Sequence, residues 1–362
     1  MNKIILLLFV SMLLFACKKE EGCTDPLALN YNSEAEKEDG SCEYFITNPH
    51  TIVTPYGFPD MIHPSDNLLT EEGIALGKYL FNSPILSHGE GLACTSCHQQ
   101  ENGFSSPGNF SSNVNGVATN RNAMALINLG WVNELAWDGR STGLEAKVLG
   151  SITNPFSIQG SSDSLKARAE KDEQFMVLFS SAFNNESITI ENAAKGLAQY
   201  IRTLVSVNSK FDKYLSGEVQ LSPSELSGYA IFNSEKGDCF HCHGTQQFAD
   251  NLFHNNGLDP EPFTNLGLGA ITGNAADYGK YRATTLRNIE YTYPYMHDGR
   301  FSTLEDVIEH YNSGGIYSST IDPKMKKVGI GLQLTNQEKQ DLIAFLKTLT
   351  DENFLTNTNI TP

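Results

Sequence analysis

Cys94-Thr95-Ser96-Cys97-His98 and Cys239-Phe240-His241-Cys242-His243 are two copies of one pattern, Cys-x-x-Cys-His, in a single chain. Two thiols at this spacing can each form a thioether with a haem vinyl group, while the histidine that follows presents its imidazole to the iron as proximal ligand. The pattern therefore predicts two covalently bound c-type haems, with His98 and His243 as iron ligands. Two haems in one chain indicate electron transfer.

Cysteine pairs also occur in zinc ribbons, in thioredoxin-like redox sites and as structural disulfides. A zinc ribbon brings its two pairs together after a short knuckle, whereas Cys97 and Cys239 lie far apart in the sequence and each pair has its own histidine. A thioredoxin-like pair lies between the strand and the helix of a βαβ unit, a pattern that flanks neither motif. The sequence therefore favours haem attachment.

The first residues of the chain, 1–16, resemble a bacterial export signal. Lys3 provides a basic start, and the apolar run that follows is too short to span a membrane. The run ends at Cys17, as in lipoprotein signals, in which the cysteine becomes the lipidated first residue of the mature protein; Phe15 departs from the usual small residue. Ordinary secretion with a spare cysteine is the alternative. We expect a protein anchored by its lipid in the cell envelope of a Gram-negative bacterium, in the periplasm or at the outer-membrane surface.

The cysteine count indicates a disulfide near the N-terminus. Of the 7 cysteines, the haem motifs use four and the lipid uses Cys17, which leaves Cys23 and Cys42. In an oxidising compartment these two are expected to form a disulfide that stabilises a segment too small for its own core. Residues 17–48 are thus predicted to be an acidic tether with a small disulfide module. Its Asn and Asp residues could bind calcium, but turns explain them equally well, and we favour turns.

The chain is strongly acidic. Its formal net charge of −17 and its pI near 4.9 argue against nucleic acid as a partner, because phosphates would be repelled. The same charge suits electrostatic steering of a small basic redox protein, either a cytochrome c or a cupredoxin.

An internal duplication becomes visible when the two haem motifs are aligned. Each copy contains, in the same order, a capped helix start, the haem motif, an Arg-Asn pair, an Asp-Gly-Arg triplet and a Leu-Glu pair. The first copy has these at Thr70, 94–98, Arg121-Asn122, 138–140 and Leu144-Glu145, and the second at Ser222, 239–243, Arg287-Asn288, 298–300 and Leu304-Glu305. We therefore expect domains at 49–215 and 216–352, followed by a tail at 353–362.

Helical patterns dominate the two copies. Apolar residues at three-four spacing predict a helix over 188–215, and Thr335 with Glu338 forms a capping box at the start of a helix over 335–349. Ser222, Pro223 and Glu225 give the same kind of helix start. Strand patterns are scarce. The predicted fold is all-α, with two tandem cytochrome c-like domains that each carry one covalently attached c-type haem.

Over residues 49–351 the chain resembles the bacterial dihaem cytochrome c peroxidases and the related MauG-type enzymes. The matching stretches are both haem motifs, Arg121-Asn122, Trp137-Asp138-Gly139-Arg140, Asn154-Pro155, Leu286-Arg287-Asn288 and Pro294-Tyr295-Met296-His297-Asp298-Gly299. The resemblance implies that hydrogen peroxide reacts at the N-terminal haem, that electrons enter at the C-terminal haem, and that Trp137 lies between them. It also implies a calcium ion held by Asn122 and the backbone oxygens of Thr292 and Pro294. Many relatives form homodimers.

The chain departs from this family at the iron ligands. No histidine occurs between His98 and His241, so the loop that supplies a second histidine to the first iron in other members cannot do so here. We expect an open sixth position and no need for reductive activation. At the second iron the family's axial methionine aligns with Tyr311, the residue type used by MauG-type enzymes. The alternatives are that Tyr311 is a packed helix residue and that one of three others is the ligand: Met325, Met296 or His310.

A second departure concerns proton transfer. The family's distal Gln and Glu align with Lys147 and Ser157, and a serine hydroxyl is a poor general base. A lysine at this place could offer charge or donate a proton, but we expect Lys147 to lie exposed on a helix. Glu145 or Asp163 could replace the missing carboxylate if a loop has shifted. Two functions remain open, a dihaem peroxidase that reduces peroxide or oxidises another substrate as MauG does, and an electron-transfer cytochrome that has lost the distal chemistry. The expected open iron position and Trp137 favour the peroxidase.

Overall fold

The computed structural model describes residues 19–61, 63–184, 186–358 and 360. The predicted signal at 1–16 and the predicted lipidation site, Cys17, lie outside the described residues. Contacts divide the chain into two compact units, one comprising the described part of 1–46 with Asn184 and Glu186, and the other comprising 47–183 and the described part of 187–362. Within the described ranges, no helix has the length and apolar character needed to cross a membrane.

The small N-terminal unit is built from turns and one short strand pair. Strand β1 (Glu21–Gly22) pairs in parallel with β2 (Lys37–Glu38), and a disulfide joins Cys23 to Cys42. Side chains of Asp25, Asn32 and Asp39 each accept a hydrogen bond from the backbone N–H two residues further on. The Asn and Asp residues therefore form turns, in agreement with the preferred interpretation of the sequence.

The large unit is mostly helical, as the sequence predicts. Its helices are α1 (Glu71–Asn82), α2 (Leu144–Thr153), α3 (Ser162–Ala169), α4 (Glu173–Phe183), α5 (Ile190–Arg202), α6 (Lys210–Leu215), α7 (Pro223–Phe232), α8 (Phe240–His243), α9 (Gly269–Thr272), α10 (Leu304–Ser313), α11 (Asn336–Lys347) and α12 (Glu352–Thr356). Two antiparallel pairs of two-residue strands complete it, β3 (Glu134–Leu135) with β4 (Ser141–Thr142) and β5 (Phe253–His254) with β6 (Tyr281–Arg282).

Local sequence determines where the main helices begin. The Thr70 hydroxyl accepts a hydrogen bond from the Gly73 N–H at the start of α1. Ser222 and Glu225 form the predicted capping box of α7, and Thr335 and Glu338 form that of α11. These capping bonds join residues three positions apart, which is why the sequence reveals the helix starts.

The single helix predicted over 188–215 is wrong, because the chain leaves helical geometry between α5 and α6. In the gap, the Asn128 side chain accepts a hydrogen bond from the Ser206 N–H and donates one to the Ser206 carbonyl. The Asp351 carboxylate accepts hydrogen bonds from the N–H groups of Val207 and Asn208. Distant side chains thus take over the backbone groups that a continuous helix would have used.

Each half of the large unit has its own hydrophobic core, and each core contains a crossing of two helices in close contact. Helix α1 packs on α5 in the first half, and α7 packs on α11 in the second. A Cβ atom on Gly77 would lie 2.1 Å from the Gly196 carbonyl oxygen, and one on Gly228 would lie 1.9 Å from the Asp341 carbonyl oxygen. Both crossings therefore require glycine, and this repeated constraint supports the internal duplication.

Two predicted boundaries need correction. Helix α6 was assigned to the first domain, but Phe211 belongs to the second core, where its ring lies 5.0 Å from Tyr229 and 5.3 Å from Phe345 between centroids. In the described part of the predicted tail at 353–362, residues 353–356 lie in α12, and Phe354, Leu355 and Ile360 pack on the first core. The Phe354 ring lies 5.5 Å from that of Phe104. The C-terminal segment therefore contributes to the core around the first haem motif.

Replacing Gly228 by alanine should lower the free energy of unfolding by about 1–3 kcal/mol, because the added methyl group would overpack the α7–α11 crossing. Chemical denaturation of the haem-loaded protein, followed by circular dichroism, measures this. The matched control is Gly150→Ala on α2, where no atom lies within 4 Å of the added Cβ. This control should leave stability unchanged or raise it by up to about 1 kcal/mol. Equal stability of the Gly228→Ala protein and the unmodified protein would contradict the close crossing.

Candidate haem centres

The first haem motif lies on a short turn that aims its histidine. Residues Cys94–Ser96 form a 3-10 turn, and the His98 N–H donates to the Cys94 carbonyl at 2.9 Å. The His98 side chain is held through Nδ1, which donates to the Phe104 carbonyl at 2.8 Å. Phe104 has φ 57°, a left-handed conformation that is rare for a bulky residue. This arrangement leaves Nε2 as the nitrogen available to an iron.

The second motif repeats this arrangement on α8. The His243 N–H donates to the Cys239 carbonyl at 3.0 Å, and Nδ1 donates to the Phe248 carbonyl at 2.7 Å, with Phe248 again left-handed at φ 52°. Burial lowers the pKa of His98 to about 4 and also lowers the pKa of His243. Both imidazoles are therefore neutral, which is the state that ligates iron.

A cavity of about 270 Å³ opens beside the second motif. Cys239, Cys242 and His243 line one part of it, and the apolar side chains of Phe232, Leu286, Leu304, Ile308, Leu342 and Leu346 line much of the rest. Thiols, a neutral imidazole with a free Nε2 and an apolar wall are the groups that a c-type haem needs. The residues present therefore fit this cofactor.

This cavity is lined by three of the four candidate sixth ligands of the second iron: Tyr311, Met296 and Met325. The Asn256 side-chain amide donates to Tyr311 Oη at 3.1 Å and lies 3.6 Å from the sulfur of Met296, so these two candidates are neighbours. Burial raises the pKa of Tyr311 to about 12. His310 is bonded elsewhere, since its Nε2 lies 3.1 Å from the Asn256 carbonyl.

Trp137 lies on the wall of the same cavity and is tied to the first domain. Its indole Nε1 donates to the Asn122 carbonyl at 2.9 Å, and its own carbonyl accepts from the Arg282 N–H at 2.9 Å. The next residue, Asp138, is buried and paired with Arg121 and Arg140. The indole is therefore fixed between segments of the two haem domains.

The residues expected to hold calcium line the same cavity. Asn122, Thr292 and Pro294 all line it. The Asn122 amide nitrogen donates to the carbonyls of Gly108 and Asn109, which turns its oxygen away from them. One amide oxygen and nearby backbone carbonyls are hard ligands suited to calcium.

Lys147 does not lie exposed on α2, so that expectation is wrong. The side chain is half-buried, and its Nζ donates to Ser151 Oγ at 3.0 Å. Burial lowers the pKa of Lys147, and the charge of Arg140 acts in the same direction. The Lys147 charge also contributes, after burial, to the lowered pKa of His98.

The other candidate groups for proton transfer are differently placed. The Ser157 backbone is tied down, since its N–H donates to Asn154 and its carbonyl accepts from Val114. The Glu145 carboxylate accepts hydrogen bonds from Nη1 and Nη2 of Arg202 and from the side-chain amide of Asn67. Asp163 lies exposed in the first turn of α3. Glu145 is therefore held in an ion pair, whereas Asp163 faces solvent.

Sequence reasoning missed several residues of the site. The left-handed Phe104 and Phe248, which orient the proximal histidines, have no special signature in the sequence. Asn256 and Arg282 are recognisable only because folding brings them to the second cavity. Their roles depend on contacts between segments far apart in the chain.

Comparisons with known proteins agree with this geometry. A sequence profile described as "Di-haem cytochrome c peroxidase" matches residues 71–220. The methylamine utilization protein MauG of Methylophilus methylotrophus is 35% identical over 296 residues, covering 80% of this chain and 86% of the relative. The cytochrome-c peroxidase IdrP1 of Pseudomonas sp. strain SCT is 31% identical over 332 residues, covering 83% and 86%.

Among solved structures, a MauG-like protein associated with microbial copper homeostasis superimposes with a TM-score of 0.80 at 35% identity, covering 85% of this chain and 97% of that one. Sequence, fold and site therefore agree. The chain belongs to the family of di-haem cytochrome c peroxidases and MauG proteins, oxidoreductases with two c-type haems.

Proposed function

We propose that this protein reduces hydrogen peroxide beside His98 with electrons that enter beside His243, and that Trp137 carries them between the two sites. The haems supply the redox chemistry, in which one peroxide, two electrons and two protons give two water molecules. The proposal includes the MauG-like case, in which the electrons come from another protein or organic molecule.

The position of Trp137 supports this proposal most directly. Its indole bonds to Asn122, which follows the first haem motif in the chain, and its ring lines the cavity of the second motif. An aromatic ring fixed in this way shortens the electron path between the two sites. A protein with one working haem would not need it.

The Lys147 amine is our candidate for the proton source at the first site. Burial lowers its pKa, so the ammonium gives up its proton more readily than an exposed lysine does. Ser151 accepts a hydrogen bond from Nζ and orients it. Lys147 would thus replace the missing carboxylate with a group that starts positively charged.

A second candidate function is electron transfer without peroxide turnover. Two residues favour electron transfer alone. The Glu145 carboxylate is bonded to Arg202, and Ser157 has no carboxylate to offer at the first site. Family membership and the buried Lys147 favour the peroxidase.

We further propose a calcium ion beside Asn122, held also by the carbonyl oxygens of Thr292 and Pro294. An ion there would bridge segments that precede Trp137 and that follow β6. Its role would be to fix the distance between the two haem sites.

The proposed setting is the bacterial envelope, with attachment to a membrane through lipid on Cys17. The electron donor is proposed to be a small basic cytochrome c or cupredoxin, since the chain carries a net charge of −17. A homodimer is proposed by analogy with relatives.

The haem-loaded protein should show a high-spin signal in the electron paramagnetic resonance spectrum of its oxidised state and should oxidise a reduced cytochrome c when peroxide is added. The reason is an iron beside His98 that has no second histidine. Stopped-flow spectroscopy and steady-state donor oxidation measure the two properties. If the spectrum shows only low-spin haem and the protein does not turn over peroxide, electron transfer is the function.

Substitution Lys147→Gln should lower kcat/KM for peroxide by about 10²-fold or more, because it removes the proton donor. In the unmodified protein, kcat/KM should fall as the pH rises through the lowered pKa of Lys147, where the ammonium is lost. This decline should vanish in the variant. The control is Lys166→Gln, which removes the same charge from an exposed position on α3 and should leave the pH profile intact. An unchanged profile in Lys147→Gln would exclude this role.

Substitution Tyr311→Phe should change the optical and magnetic spectra of the second haem, because it removes the proposed phenolate ligand, and should raise the potential of that haem. Spectroelectrochemistry provides both measurements. Met325→Leu is the matched control and should leave the spectra unaltered. If only Met325→Leu or Met296→Leu changes them, the ligand is a methionine.

A further inference from the structure

Arg282 is a buried cation that has no negatively charged partner among the described residues. The residue lies on β6 and is 5% exposed. Its Nη1 donates to Asn251 Oδ1 at 2.9 Å, its Nε to the Ala136 carbonyl at 3.4 Å, and its Nη2 lies 3.9 Å from the sulfur of Met124. All three contacts are neutral, and they leave part of the guanidinium's five-donor capacity unused.

The other buried or nearly buried arginines of the large unit differ in this respect. Arg121 pairs with Asp138, Arg202 with Glu145, and Arg287 with both oxygens of Asp212. In the described part of the chain, no ion pair includes Arg282, and burial alone accounts for its lowered pKa of about 10. A guanidinium stays charged at neutral pH, and an unpaired buried charge is costly, so this site favours a counter-ion that the described residues do not supply.

The position of Arg282 indicates where the counter-ion comes from. Its side chain lines the cavity that also contains Cys239, Cys242 and His243. The lysines that line this cavity are accounted for otherwise, since Lys324 pairs with Asp250, Lys326 pairs with Glu235, and Lys327 is exposed. Arg282 is therefore a buried cation of this cavity that no described carboxylate pairs with.

We propose that the Arg282 guanidinium binds a propionate carboxylate of the haem attached to Cys239 and Cys242. A haem joined through its vinyl groups still carries two propionates, and a guanidinium can bind a carboxylate through two parallel hydrogen bonds. The inference requires only that the second haem is present. It is independent of whether peroxide is turned over.

This contact would also act on electron transfer. A positive charge beside the haem stabilises the reduced state and so raises the reduction potential. Because the Arg282 N–H is bonded to the Trp137 carbonyl, the same residue would hold the propionate edge of the haem close to the indole-bearing segment. Arg282 is thus a cofactor-binding residue that also sets the position of the haem relative to Trp137.

The experiment compares the two-haem protein with its Arg282→Gln and Arg282→Lys variants, without peroxide. We expect Arg282→Gln to shift the propionate bending bands in the resonance Raman spectrum and to lower the midpoint potential of the second haem. Arg282→Lys should keep the potential close to that of the unmodified protein, because the charge remains, but should still shift the Raman bands, because lysine cannot form the two parallel bonds.

The matched control is Lys347→Gln, which removes the same charge from a half-exposed ion pair with Glu290. It should change neither property. Raman bands in Arg282→Gln that coincide with those of this control would overturn the proposal, as would an equal midpoint potential. Haem content measured after alkaline pyridine treatment verifies that both haems are attached. If Arg282→Gln lacks one, Arg282→Lys decides, and unshifted Raman bands there overturn the proposal.

Discussion

The rest of the structure depends on one interaction that occurs twice, the hydrogen bond from a proximal histidine Nδ1 to the carbonyl of a left-handed phenylalanine. His98 bonds to Phe104 and His243 to Phe248. Each phenylalanine ring packs into the core of its own half, so the core determines how the imidazole points. Any disturbance of either core therefore reaches the iron site through a single residue, and the cofactor in turn stabilises the fold around it.

The duplicated scaffold nevertheless carries two different sites. Both halves repeat the motif, the glycine helix crossing and the orienting phenylalanine, yet a half-buried lysine approaches the first histidine, whereas Tyr311 and Met296 line the second cavity. The differences come from segments outside the repeated landmarks. Duplication thus explains why both haems are held alike, and later divergence of the surrounding walls explains why they would perform different reactions.

The sequence revealed what is decided locally. Capping boxes at Ser222 and Thr335 and the haem motifs depend on residues a few positions apart, so their predictions held. The break between α5 and α6 depends on Asp351, far away in the chain, and could not be predicted from helical periodicity. Burial of Lys147 is equally invisible to helical spacing alone. Arg282 has no local signature in the sequence, because what distinguishes it is that no described carboxylate pairs with its buried guanidinium.

The half-buried Lys147 and the buried Arg282 illustrate how residue type follows from the chemistry proposed for each site. In a chain of net charge −17, Lys147 and Arg282 form no ion pair with any described residue. A propionate is a permanent anion, and arginine, which does not lose its proton, suits it. Peroxide reduction consumes protons, and a buried lysine with a lowered pKa can release one and regain it. Exchanging the two residue types would therefore impair both sites, although the total charge would stay the same.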